Sequence, residues 1–157
     1  VGIGVGALGL DGVDLQERND TFAVNLTGPM LCCRKALKHI ADGSSIVFIS
    51  SIAALRSGSR LIAYDASKAA LGGLMRNVAK EGSRRGVRAN IIYPGLVDTP
   101  LGRHTSAGRP SRSASGVPFG RMATGWEIAY AALFFISDES VYVNAQALAV
   151  DSGITGL

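Results

Sequence analysis

Apolar residues recur every three or four positions through Phe22, Leu26, Met30, Cys33, Leu37 and Ile40, the spacing of one face of a long amphipathic helix that starts near Asp14. Asp42-Gly43 should end it, because glycine readily takes the left-handed turn that closes helices. Pro29 falls inside this helix and offers no N–H to the carbonyl four residues back, that of Asn25, so a kink and a freed carbonyl are predicted. The carbonyl and the Asn25 amide could then hold a water, or the proline could simply fill core space. At Ser45-Ile46-Val47-Phe48-Ile49-Ser50 the pattern changes to a short β-branched run bounded by turn formers, the look of a buried parallel strand with Ser51 at its C-terminal end. A helix follows from about Leu61 to Arg84, with Ala66, Ala69, Ala70, Gly72 and Gly73 small enough to let it lie close against a neighbour. Val87 to Tyr93 reads as a second strand, ended by Pro94-Gly95. Leu101 to Thr124 is polar and aperiodic, the pattern of a long mobile loop. Trp126 to Ser137 is a third helix and Ala145 to Val150 a third strand, closed by Asp151-Ser152-Gly153. Helices and strands alternate with no repeat and no linker, which predicts a single α/β unit on a parallel sheet.

Candidate chemistry gathers on the second helix. Tyr64 and Lys68 are four residues apart and so share a helix face. Bringing a phenol of pKa about 10 near neutrality takes roughly three pH units, or about 4 kcal/mol. An ammonium about 4 Å away, at an effective dielectric of about 20, supplies an interaction of that size. The pair is thus sufficient for a proton-transferring tyrosine, although Tyr-x-x-x-Lys alone is a common spacing and a helical lysine is often just a solvated charge. Ser51 lies beyond the carboxyl end of a strand, where open α/β sheets bind ligands, and where serines also serve as caps and turns.

Composition narrows the possibilities. The chain has 157 residues, 47% hydrophobic and 18% charged, which is enough for a real core. Its formal net charge of +4 comes mainly from arginines that are scattered or gathered between 103 and 121 without interleaved aromatics, a poor footprint for nucleic acid. Cys32 and Cys33 are adjacent and alone, giving neither a disulfide framework nor metal spacing, and suit a reducing cytoplasm. The longest apolar run, Ala129 to Ile136, is far below the ~20 residues of a membrane span. Gly4-Val5-Gly6-Ala7-Leu8-Gly9 spells the G-x-G-x-x-G of a dinucleotide site. Only three residues precede it, however, the helix signal starts later, and the position twenty past Gly9 is Pro29 rather than an acid, so it reads as a flexible loop. The opening, without methionine or leader, suggests a chain whose beginning is missing.

Together these elements resemble the short-chain dehydrogenase/reductase family. Ser51, Tyr64 and Lys68 match its Ser…Tyr-x-x-x-Lys constellation, and the family's thirteen-residue serine-to-tyrosine offset selects Ser51 over Ser50. Asn25 in Val24-Asn25-Leu26-Thr27-Gly28 matches the asparagine of the kinked helix. Asn90 to Gly95, then Leu96-Val97-Asp98-Thr99, are similar to the Asn…Pro-Gly…Thr segment near the nicotinamide, and Val143 to Gly153 is similar to the closing strand and turn. The resemblance implies a Rossmann-like doubly wound sheet, here its C-terminal catalytic portion with three strands, Val1-Gly2 standing for the end of the family's Asn-Asn-Ala-Gly motif. It implies NAD or NADP as cofactor, no metal, and hydride transfer between nicotinamide and a small carbonyl or secondary alcohol. Tyr64 would be the acid/base, Ser51 would bind the substrate oxygen, Lys68 would lower the tyrosine pKa and bind ribose, and Asn25 would hold a relay water. Pro94, Gly95, Val97 and Thr99 would position the nicotinamide amide. The 101–124 loop would close over substrate, its Arg103, Arg109, Arg112 and Arg121 either meeting an anion or being solvated. Helices 14–40 and 62–85 would form a homodimer or homotetramer. The other expectation is that the 157-residue piece lacks its own dinucleotide site, is inactive alone and keeps only the oligomer-forming surfaces.

Overall fold

The computed structural model describes residues 10–56, 59–107 and 116–156. Strands β1 (Ser45–Ile49), β2 (Arg88–Pro94) and β3 (Ala147–Val150) form a parallel sheet in the order β1-β2-β3. Ser45 registers with Arg88 and Ile49 with Ile92, while Ile91 faces Ala147 and Pro94 faces Val150. β2 is buried from Arg88 to Tyr93, as a central parallel strand covered on both faces must be.

Alternation along β2 assigns the two faces. Ala89, Ile91 and Tyr93 join Leu71, Met75, Val78 and Ala79 of helix α3 (Ile62–Gly82) in the main core. Arg88 instead reaches the C-terminal end of helix α5 (Gly125–Ile136). α3 buries Ala63, Ser67, Leu71, Met75, Ala79 and Gly82, a stripe stepping by four and finally by three, and Gly82 is needed there because a Cβ would stand 2.9 Å from that of Val87.

The first long helix is three consecutive pieces: α1 (Leu15–Phe22), a π turn (Ala23–Thr27) and α2 (Gly28–Ala36). The predicted proline kink is realised as this π turn, in which the Gly28 N–H bonds the Ala23 carbonyl five residues back, so the widened turn accommodates Pro29 at its end. Asp14 caps α1 by accepting from the Glu17 N–H at 2.8 Å. α2 ends at Ala36, before the predicted Asp42-Gly43, because turns take over; Gly43, at φ 79°, closes that turn region.

The stretch read as an aperiodic loop from Leu101 to Thr124 is partly ordered. Helix α4 (Pro100–Ser106) occupies its start, with Thr99 as cap and Pro100 in the first turn, a start signal that the missing apolar period hid. At the other end, Ala123 forms a parallel bridge with Val97. Residues 108–115, with Arg109 and Arg112, lie outside the described residues, as do Val1-Gly2 and the Gly4-to-Gly9 motif.

Candidate active site

β1 ends at Ile49, and its pairing runs one residue further through Ser50 N–H to the Ile92 carbonyl, 2.8 Å. The next two hydroxyls then have different tasks. Ser50 is buried and its Oγ donates to the Lys68 carbonyl at 2.8 Å, tying the strand end to α3. Ser51 is half-buried and its Oγ accepts from the Ala53 N–H at 3.1 Å as the cap of a short 3-10 turn, Ile52–Ala54. That bond uses a lone pair and leaves the hydroxyl proton to be donated elsewhere.

Lys68 crosses from α3 to the same strand end, its Nζ donating to the Ile49 carbonyl at 3.2 Å and lying 5.8 Å from the Tyr64 ring centroid. It is 8% exposed, and burial pushes its pKa below the ordinary lysine value. No carboxylate pairs with it among the described residues. A buried ammonium with three donors and no counter-ion can aim charge at a neighbouring phenol or at a ligand hydroxyl. Asn25, 2% exposed on the π turn, donates from Nδ2 to Ser67 Oγ at 3.0 Å, and Ser67 Oγ donates to the Tyr64 carbonyl at 2.8 Å. The long helix is thereby joined to the turn of α3 that carries Tyr64 and Lys68.

Because β1 and β2 are parallel, Pro94-Gly95 emerges on the same sheet edge as Ser51. Gly95 N–H bonds the Val150 carbonyl at 2.9 Å, and a Cβ at Gly95 would lie 2.8 Å from both Cα and Cβ of Asp151, so only glycine fits. Val97 is then bracketed by two bonds, Ala123 N–H to the Leu96 carbonyl at 2.9 Å and Asp98 N–H to the Ala123 carbonyl at 2.7 Å. Thr99 Oγ1 accepts from the Gly102 N–H at 3.1 Å.

Sequence reasoning missed Ser50 and Ser67 as the connectors of this site. Ser67 has a signal, being three residues after Tyr64 on the helix, whereas Ser50 differs from Ser51 only once the strand's facing is known. The arginines of the 101–124 stretch turn out to be paired where they are described: Arg103 with Asp98 at 2.7 Å and Arg121 with Glu127 at 2.6 Å. A cavity of about 100 Å³ is lined by Leu96, Ala123, Asp151, Ser152 and Ile154 among others, and none of Ser51, Tyr64 or Lys68 borders it. No group of His, Cys, Asp or Glu arranged to hold a metal occurs among the described residues.

A family model described as enoyl-(acyl carrier protein) reductase matches residues 5–155. The short-chain dehydrogenase/reductase ABA4 of Pyricularia oryzae is 36% identical over 150 residues, covering 93% of this chain and 56% of that relative. Among solved structures, ElxO with NADP bound has a TM-score of 0.89 at 26% identity, covering 99% of this chain and 65% of its own. Levodione reductase has a TM-score of 0.90 at 28% identity, covering 100% and 65%. The chain belongs to the short-chain dehydrogenase/reductase family of Rossmann-fold proteins, and it spans a little over half the length of the relative ABA4.

Proposed function

We propose that this chain is the catalytic portion of an NAD- or NADP-dependent oxidoreductase that interconverts a small carbonyl compound and its secondary alcohol. The observation that carries this reading is the buried, carboxylate-free Lys68 beside Tyr64 at the carboxyl end of β1, with Ser51 on the adjoining turn. The residues present fit a nicotinamide group: Lys68 keeps donors for ribose hydroxyls, Gly95 lets the backbone turn tightly, and Pro94, Val97 and Thr99 follow on the same edge. The bound nicotinamide supplies or accepts the hydride.

Each protein group then has a defined task. Ser51 donates its free hydroxyl proton in a hydrogen bond to the substrate oxygen, where charge builds as the carbonyl is reduced. Tyr64 Oη gives its proton to that oxygen in reduction and takes it back in oxidation. The Lys68 ammonium stabilises the phenolate left on Tyr64. Asn25 holds the helix turn through Ser67, and a water on it would connect Lys68 to solvent. Residues 101–124 would close over substrate, and helices 14–40 and 62–85 would pair copies into a homodimer or homotetramer. Cys32 and Cys33 are free thiols, as a reducing cytoplasm would keep them.

The test follows cofactor oxidation with a panel of ketones, using a chain extended to carry a dinucleotide-binding half. Ser51→Ala should reduce turnover by about a hundredfold or more while leaving cofactor binding in place, the usual cost of losing one donor to a developing oxyanion. Undiminished turnover would remove Ser51 from the chemistry. A second reading, favoured by the 56% coverage of ABA4, is that these 157 residues alone bind no dinucleotide and retain only the helix surfaces that join copies.

A further inference from the structure

The segment after Gly120 makes a bond network out of proportion to its length. Gly120, at φ 68°, ends a turn closed by its N–H to the Val117 carbonyl at 2.8 Å. Arg121 then forks onto Glu127, with Nη2 to Oε1 at 2.6 Å and Nη1 to Oε2 at 2.8 Å. Glu127 Oε2 also receives the Thr124 N–H at 2.7 Å, while Thr124 Oγ1 accepts from the Glu127 N–H, so a complete capping box starts α5 without any help from Arg121. What Arg121 adds is a second tether across the intervening residues. Between its two ends lies Ala123, the residue whose N–H and carbonyl bracket Val97.

We propose that the Arg121–Glu127 fork is a positioning device for Leu96–Thr99: it pins Ala123 to the first turn of α5 and thereby fixes the backbone that carries Val97 and Thr99. Exposed ion pairs often contribute little, but a bidentate fork on a carboxylate already ordered by a helix cap has the geometry in which they do contribute. The conformational part stands on these bonds alone; its consequence for cofactor rests on the function proposed above.

Arg121→Met in this chain removes the fork, together with the Nη1 bond to the Met122 carbonyl at 3.1 Å, and leaves the capping box in place. Amide hydrogen exchange at Asp98 and Ala123 should accelerate by about tenfold or more, while the Ser50 amide, bonded to Ile92, is unchanged. Glu127→Gln, which keeps the Met122 bond and weakens the fork, should loosen the same amides in the same direction. Thr124→Ala, which weakens the cap and spares the fork, should loosen the first turn of α5 and leave Asp98 and Ala123 within about twofold. In a chain carrying the dinucleotide half, Arg121→Met should raise the KM for the nicotinamide cofactor several-fold with kcat nearly constant. Unchanged exchange at Asp98 and Ala123, equal loosening by Thr124→Ala, or loosened amides with an unaltered cofactor KM would each overturn the proposal. If the unsubstituted extended chain binds no cofactor, the function above is wrong, and the exchange comparison still decides whether the fork sets the backbone.

Discussion

Lys68 is a charge held out of water without a carboxylate, and its cost to folding has a calculable sign. Its folded pKa is lowered by burial relative to the unfolded value, so the folded chain holds this proton less tightly. The penalty is fully present below the folded pKa and disappears as pH rises past the unfolded lysine value of about 10.4. Lys68→Met should therefore stabilise the chain by about 1 kcal/mol at neutral pH while removing activity from the extended protein, with urea unfolding as the readout. Thr21 makes a complementary case: it is fully buried and its Oγ1 has no hydrogen-bond partner among the described residues. Thr21→Val keeps the shape and removes the orphan hydroxyl, so a gain of about 1 kcal/mol in urea unfolding is expected; a loss would mean that the hydroxyl is satisfied by an internal water. At this scale spacing and the proline singled out Tyr64, Lys68 and Asn25, which the fold brings near one another. It could not disclose Thr21, Ser50 or Ser67, because whether a hydroxyl is bonded depends on residues brought from elsewhere in the chain.

Helix α5 shows how an element is fastened at both ends by side chains that local pattern does not reveal. At its C-terminal end Arg88, 5% exposed, donates from Nη1 to the Phe135 carbonyl at 2.8 Å and to Ser140 Oγ at 2.7 Å, and from Nη2 to the Ser137 carbonyl at 3.1 Å. A cation there satisfies open carbonyls and suits the negative end of the helix dipole. Arg88→Met should cost about 2 kcal/mol or more in urea unfolding, and hydrogen exchange should rise first in the last turn of α5. At the N-terminal end, the Arg121 hydrogen bond, with the Thr124 cap, holds the Glu127 carboxyl down to about 2. Arg121 and Thr124 are bonded to Glu127, and Asp151 in the wall of the adjoining cavity is occupied by Gly153 and Thr155. A carboxylate with a depressed folded pKa contributes stability above its unfolded value, and that contribution is lost as pH falls toward about 2. An NMR titration of Glu127 should show its midpoint rising in Arg121→Met; an unmoved midpoint would mean that the fork is absent in solution. Most element positions were legible because periods of 3.6 and 2 are strong signals. α4 was not, since Thr99-Pro100 marks its start but no apolar stripe follows, and the π turn was foreseen only as a kink because the proline tells where the ladder fails and not how it is repaired.

Across the whole molecule, the parallel order β1-β2-β3 gathers Ser51, Pro94-Gly95 and Asp151 on one edge, which the alternation of helices and strands foretold without giving the strand order. Among the described residues no helix is long and apolar enough to cross a membrane. The family and the fold were readable because several motifs occur in the right order, whereas cofactor choice and substrate are written in groups these motifs do not contain. A fluorescence titration tests the second reading proposed above: if it holds, the 157 residues alone show no NAD(P)H binding and a chain extended by a dinucleotide half binds it. Micromolar binding by the shorter chain would refute the reading in which it lacks a cofactor site. In the proposed reaction Tyr64 moves the proton. The most direct test replaces it with phenylalanine in the extended chain and measures turnover and cofactor binding side by side. Turnover should fall by about a hundredfold or more, as expected for loss of a general acid, with cofactor affinity preserved; near-normal turnover would remove Tyr64 from the proton transfer.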